Sequence, residues 1–257
     1  MIKFFRKIRQ NLLSEGKTEK YLKYAVGEII LVVIGILIAL SINNWNENIK
    51  KVEQEKVYYC KIKEDLQTDI KNIQRGIKSL DERIVSAKKV LINLYQKVDD
   101  KSILLEGFIP AVRSYDFIPS KSAILDITSS GKLENFSNSK LKTSILQHYS
   151  DLEYLMNVLQ QNQKGFSALS FKYEDFSAFG YHQIPLYKDN YGEELLSLMP
   201  NVNWQKDTEN ILFKQFQDHI NMSVIISARE KELLKQILSS TVKLETELES
   251  NCNNSTK

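Results

Sequence analysis

From Ala25 to Ile42 the chain reads AVGEIILVVIGILIALSI, an apolar run whose one charged residue is Glu28. A bilayer core roughly 30 Å thick is crossed by about 20 mostly apolar helical residues. Tyr21, Tyr24 and Trp45 lengthen the run with rings whose polar tips suit the headgroup level. The pattern predicts one membrane-spanning helix over 21–45. A buried core helix is the rival reading, but such helices usually show a polar face and Ile29–Leu40 has none.

Beyond the span the period changes. Leu66, Ile70, Ile73, Ile77, Leu80, Ile84, Ala87, Leu91, Leu94 and Val98 fall at alternating steps of four and three, a heptad seam. Gly76 lies within it and would permit a bend. Ile103–Val112 is a short apolar segment near Pro110, and Ser120 or Ser122 would cap a short helix ending at Gly131. Ser137 or Ser139 would cap a longer helix with the stripe Leu141, Ile145, Tyr149, Leu152, Met156 and Leu159, kinked at Gly165. Gly180 to Lys206 is irregular and aromatic. It reads either as a binding loop or as a connection whose rings cover the end of the helices. A last helix from Asp207 to Leu248 keeps a heptad frame through Phe213, Phe216, Ile220, Leu234, Ile237, Thr241, Leu244 and Leu248, with Ser223, Ser227 and Glu230 interrupting it. Its length matches the first outer helix, so the two are expected to pair antiparallel. The fold class is all-α: a transmembrane helix continuing into an extracytoplasmic antiparallel bundle of about four helices.

Charge sets the orientation. Lys3, Arg6, Lys7, Arg9, Lys17, Lys20 and Lys23 precede the span against Glu15 and Glu19, whereas Lys50, Lys51 and Lys56 are offset by Glu47, Glu53 and Glu55. The basic flank stays in the cytoplasm, which places everything after Asn43 outside a bacterial inner membrane. The competing reading is a signal peptide cleaved near Ala39-Leu40-Ser41. Met1–Leu13, MIKFFRKIRQNLL, has the pattern of a basic amphipathic helix suited to the inner leaflet. The expected domains are a leader over 1–20, the span over 21–45, the bundle over 46–249 and a disordered tail over 250–257. The net charge of +3 resides in the leader, so the outer part offers no basic surface for nucleic acid. Only 9 glycines and 4 prolines in 257 residues favour long helices over a sandwich or barrel. Two cysteines, Cys60 and Cys252, form no CxxC motif. An external domain permits a bridge, but a bridge needs close Cα atoms, and two unpaired thiols are expected.

The run YLKYAVGEIILVVIGILIALSINNWNE resembles, from Tyr24 to Glu47, the opening signature of an uncharacterised family of single-pass membrane proteins from Bacteroidota, YxxGEIxLVVIGILIALxINNWNE. Downstream, AILDITSSGKLENFSNSKL over Ala123–Leu141 is similar to the family's Ser-Ser-Gly element followed by a helix. The resemblance implies a domain of unknown function and carries no catalytic residue with it.

Signals for chemistry are weak. His148, His182 and His219 lie far apart, with no HExxH, no Cys/His cluster and no glycine-rich phosphate loop, so no metal or cofactor is expected. Glu28 is the one carboxylate in the span. It would accept a proton or meet a partner's cation, or, near the inner interface, meet headgroups or Lys23. Gly27, Gly35 and Ala39 share one stripe that would let another helix approach closely. Tyr24, Gly27, Glu28, Gly35, Ala39 and Trp45 are therefore the anchor residues, and Arg113, Tyr149, Tyr187 and Trp204 the candidate partner surface. The expected role is a membrane-anchored interaction or sensory module without catalytic activity. It would engage the lipid bilayer and either a protein partner or itself through the span. A structural scaffold and a tethered periplasmic hydrolase are the alternatives.

Overall fold

The structure is a computed structural model that describes residues 18–253. The predicted leader helix up to Lys17 and the last four residues of the predicted tail lie outside it. Among the described residues all regular structure is helical. The elements are α1 (Thr18–Tyr95), α2 (Ser102–Val112), α3 (Ser122–Ser129), α4 (Ser139–Ser170), α5 (Phe176–Phe179), α6 (Pro185–Tyr191), α7 (Glu193–Leu198) and α8 (Ile211–Asn253), with short 3-10 turns at Lys132–Asn135, Tyr181–Gln183 and Trp204–Lys206. The chain divides into two units, one ending at Lys56 and the other beginning at Val57.

In the first unit α1 carries the apolar run. It is long and apolar enough to cross a membrane, and none of that apolar window is buried by protein.

The second unit is built on the rest of α1, and here the pattern departs from the expected seam. Leu66, Ile73, Leu80, Ala87 and Leu94 are buried as expected, but the alternate positions are one residue earlier. Asp69, Gly76, Arg83 and Val90 are buried where Ile70, Ile77, Ile84 and Leu91 were expected, and those four are only half-buried. The reason is the chain from Arg113 to Lys121, which has no regular structure and runs back along α1 as a strap. Its contacts step down the helix in order. The Arg83 Nε donates to the Ala111 carbonyl at 3.4 Å. The Tyr115 hydroxyl donates to the Asn72 carbonyl, and its ring lies over Gly76. The Ser120 amide donates to Asp69 at 2.8 Å. The Ala123 amide and the Ser122 hydroxyl donate to Asp65, each at 2.9 Å. Roughly 27 Å of helix separates Asp65 from Arg83 at 1.5 Å per residue, and an extended segment from Arg113 to Lys121 spans about the same at 3.3 Å per residue. The strap's amides and hydroxyls need acceptors once buried, so the seam supplies carboxylates where a plain coiled coil would place aliphatics.

That exchange also corrects two caps. Neither Ser120 nor Ser122 caps α3 as a local N-cap; Asp65 of α1 does so across the fold, its negative charge suiting the helix N-terminus. For α4 the cap is Asn138, not Ser137 or Ser139, its side chain accepting from the Leu141 amide at 3.1 Å. Gly131 does take the left-handed conformation after α3, and α4 passes through Gly165 without ending.

On α8 the buried positions Phe213, Phe216, Ile220, Ser223, Ser227, Glu230, Leu234, Thr241, Leu244 and Leu248 keep the three-four spacing except for one step of seven, from Leu234 to Thr241, where Ile237 between them is half-buried. The polar residues occupy the seam and do not break it. Two apolar cores result. One gathers Ile62, Leu66, Ile73 and Leu80 with Phe117, Ile127, Leu141, Ile145, Leu152, Leu234, Leu244 and Leu248. The other gathers Ala87, Val90 and Leu94 with Leu104, Phe108, Phe179, Trp204, Phe213, Phe216 and Ile220. Polar pairs between α1 and α8 are Lys63–Glu249 at 3.0 Å, Gln67–Glu245 at 2.8 Å and Lys231–Asp81.

Cys60 and Cys252 are joined in a disulfide, with Cα atoms 5.2 Å apart. The expectation of two unpaired thiols is overturned because α8 extends through Asn253, so the start of the expected disordered tail is helix and carries Cys252 alongside α1. Reduction opens a loop closed across 192 residues, and Cys60→Ser or dithiothreitol is expected to lower stability by about 2–4 kcal/mol, read as a lower thermal midpoint by circular dichroism. Gly76→Ala is expected to cost about 1–3 kcal/mol by overlap with the Tyr115 ring, although alanine is the better helix former. In a double-mutant cycle with Tyr115→Ala by urea unfolding, most of that cost should vanish; additive effects would show that the strap does not pack there.

Candidate functional site

The two cores are separated by a polar layer that the sequence pattern registered only as an interruption. Arg83 projects from α1 between Leu80 and Ala87, and Ser223, Ser227 and Glu230 project from α8 between Ile220 and Leu234. The Arg83 Nε donates to Ser223 Oγ at 3.0 Å, and Ser223 Oγ in turn donates to the Ala111 carbonyl. The guanidinium carbon lies 4.5 Å from the centroid of the Phe166 ring, a cation–π contact. Glu230 accepts from Asn162 Nδ2 at 3.1 Å. Tyr173 and His219 are hydrogen-bonded through the hydroxyl and Nδ1 at 3.2 Å, and His219 packs edge-on to Phe166 and Phe108.

Burial sets the electrostatics. It lowers the pKa of Arg83, with the charge of Glu230 opposing, and it raises that of Glu230, with the Asn162 hydrogen bond and then Arg83 opposing. His219 is pushed down to about 4, first by burial and then by Arg83, so its ring is neutral at pH 7. Asp69 is pushed up to about 6, chiefly by burial. Each of the two favours the charged form of the other against the burial that disfavours it. Arg83 Nη2, His219 Nε2 and Ser227 Oγ are closed to solvent. The layer thus positions helices; it does not present a group to a substrate.

A second polar cluster holds the end of α1. Lys101, buried, donates from Nζ to the Val202 carbonyl at 2.7 Å, and burial lowers its pKa to about 8. Gly180, with φ of 99°, packs against this amine. Between α4 and α8 a cleft of about 330 Å³ is lined by His148, Asp151, Lys243 and Glu247 among others. Both ring nitrogens of His148 are shut away from it. Among the described residues no three His, Cys, Asp or Glu side chains come together as a metal site.

The sequence-derived surface residues separate. Trp204 is 0% exposed: its indole stacks on Phe179 at 5.4 Å and its Nε1 donates to the Phe179 carbonyl at 3.0 Å. Tyr149 is also buried. Neither forms part of an outer surface, because large aromatic rings on heptad or turn positions serve the core first. Arg113 and Tyr187 are exposed. The structure brings none of the four together as one surface. Tyr24, Gly27, Gly35, Ala39 and Trp45 lie exposed on α1, and Glu28 is half-buried. A methyl group at Gly27 or Gly35 would meet open space. The aromatic stretch from Gly180 to Lys206 is not a loop but short helices and turns, packed through Ile184 and Trp204 into the second core. Arg83 and Asp69 escaped the sequence reading; the detectable signal was their heptad spacing from Ile73 and Leu80, read without regard to polarity.

In the mildly acid range His148 supplies a test of this buried chemistry. Its ring is pushed down to about 4 by burial, against Asp151, whereas an unfolded histidine titrates near 6.5. Between those values the unfolded chain binds the extra proton, so His148 supports the fold fully above pH 6.5 and progressively less as pH falls toward 4. Chemical unfolding of the wild type and His148→Leu at pH 7 and pH 4.5 should show the wild type losing about 2 kcal/mol relative to the variant; a constant difference would refute it.

A model described as a family of unknown function (DUF6090) matches residues 28–167. No curated protein and no solved structure matches.

Proposed function

The chain belongs to that family of unknown function, and we propose that it is a single-pass inner-membrane protein whose outer domain is a non-catalytic interaction or sensory module. The observation that carries this reading is the joining of two features on one helix: an apolar window with no burial in protein, and a cysteine fifteen or so residues further on that is disulfide-bonded. A helix with every side apolar is tolerated in lipid. A disulfide persists in the oxidising periplasm and is rare in the cytosol. Together with the basic flank before the span they support an N-terminus inside and a C-terminal domain outside.

The outer domain is an antiparallel bundle in this reading. The pairs Lys63–Glu249, Gln67–Glu245 and Asp81–Lys231, in which one number rises as the other falls, support it. So does the heptad spacing on both helices, the pattern of coiled-coil packing. Output passes through a protein partner or through association of spans along Gly27, Gly35 and Ala39, with open space beside both glycines. A scaffold role remains the alternative, favoured by stable co-purification without ligand.

Intact cells treated with a membrane-impermeant maleimide should show no labelling of Cys60 or Cys252 until a reductant is added, and then a shift for two thiols. Protease added to spheroplasts should degrade the C-terminal domain. Thiols labelled only after lysis without reductant, or a domain protected from protease, would overturn the topology.

A further inference from the structure

We propose that the short helices α5–α7, at the end of the second unit opposite the disulfide along α1, form a docking surface for a cationic amphipathic segment of a partner protein. This rests on the reading of the domain as an interaction module and names where and what it binds. The exposed apolar side chains here are large and close in sequence: Phe171 is 85% exposed, Leu198 79%, Leu186 66% and Leu195 48%. α6 packs against α7 and against the turn Tyr181–Gln183, so Leu186, Leu195 and Leu198 sit on touching elements, while Phe171 stands just past the end of α4. Apolar exposure of this kind marks interaction sites more often than it marks ordinary surface.

The surface is also held in place before any partner arrives. Beneath it Ile184 and Phe179 are buried in the second core, and Trp204 stacks under Phe179. Lys101 ties down the Val202 carbonyl, and Gly180 and Gly192 turn the chain at positive φ. A segment pre-set in this way loses little freedom on binding.

Charge decides among occupants. Between Phe171 and Val202 two cations, Lys172 and Lys188, face five carboxylates, Glu174, Asp175, Asp189, Glu193 and Glu194, a formal charge of −3 in a chain that totals +3. All five carboxylates are exposed, and among the described residues none is in an ion pair. An anionic lipid surface would be repelled, and so would the same face of a second copy. Exposed apolar anchors in the same stretch as exposed carboxylates that make no ion pair fit a helix that carries leucine-like side chains on one face and lysine or arginine beside them.

The test uses the full chain in zwitterionic nanodiscs. The probes are two fluorescent helical peptides with leucine at the same i, i+3, i+4 and i+7 positions and either lysine or glutamate elsewhere. Anisotropy should show the lysine peptide binding at least about tenfold more tightly, with the advantage shrinking as salt is raised. Asp189→Asn/Glu193→Gln/Glu194→Gln should remove that advantage. Leu186→Ser/Leu198→Ser should weaken both peptides without moving the thermal midpoint, since both leucines are exposed. Equal binding of the two peptides, or indifference to both variants, overturns the proposal. Leucine-dependent binding to 3:1 phosphatidylcholine–phosphatidylglycerol vesicles, or leucine-dependent self-association by light scattering, overturns it in favour of a lipid or a second copy. Any of these failures leaves the topology standing, whereas protease protection of the domain would overturn the topology without altering peptide binding.

Discussion

Burying a carboxylate beside a peptide segment that has no helix or sheet of its own is the constraint from which the second unit follows. The strap from Arg113 to Lys121 makes no ladder of backbone hydrogen bonds, yet part of it lies in the core, with Phe117 buried. Its amides must be met by side chains. Asp69 meets that of Ser120, and Asp65 meets that of Ala123 where the strap enters α3; the Asn72 backbone carbonyl accepts from the Tyr115 hydroxyl, and Arg83 takes up the Ala111 carbonyl at the end of α2. Asp69 and Arg83 are buried at seam positions of α1 that a simple coiled coil would have filled with aliphatic side chains. The displaced isoleucines Ile70, Ile77 and Ile84 are half-buried flanks. Gly76 belongs to the same accommodation, since only a residue without a side chain leaves room for the Tyr115 ring.

The polar layer is the second consequence. Arg83 serves the Ala111 carbonyl on one side and Ser223 on the other, so it couples the end of α2 to α8 at the level where the two apolar cores part. A buried charge of this kind adds little net stability, but it is costly in any other register. Sliding α8 by one heptad would set Phe216 against Arg83 in one direction and Glu230 in the other, and either slide would lose the Ser223 bridge between Arg83 and the Ala111 carbonyl. The layer therefore selects one alignment among the several that two heptad seams would allow. The disulfide between Cys60 and Cys252 enforces the same alignment from the other end.

The match to a family of unknown function over residues 28–167 covers most of the apolar run, all of the seam on α1, the strap and most of α4. The seam and the strap are joined by the hydrogen bonds of Asp69, Asn72 and Arg83. The aromatic tip and α8 lie beyond the matched residues, and the tip is where the exposed apolar side chains and carboxylates collect.

Helicity, the apolar span, the left-handed glycine after α3 and the three-four spacing of both seams were legible along the chain, because each depends on neighbours within a turn or two. The pairing of Cys60 with Cys252 was not, since a thiol's partner is set by where a distant helix ends. Nor was the burial of Trp204, whose exposed or buried placement depends on Phe179 and Phe216 arriving beneath it. The register of the seam on α1 was legible only by half: the hydrophobic count favours Ile70 and Ile77. Asp69 and Gly76 win because a polar or absent side chain becomes the better core residue once another stretch of backbone lies against it, and that is decided by tertiary contact alone.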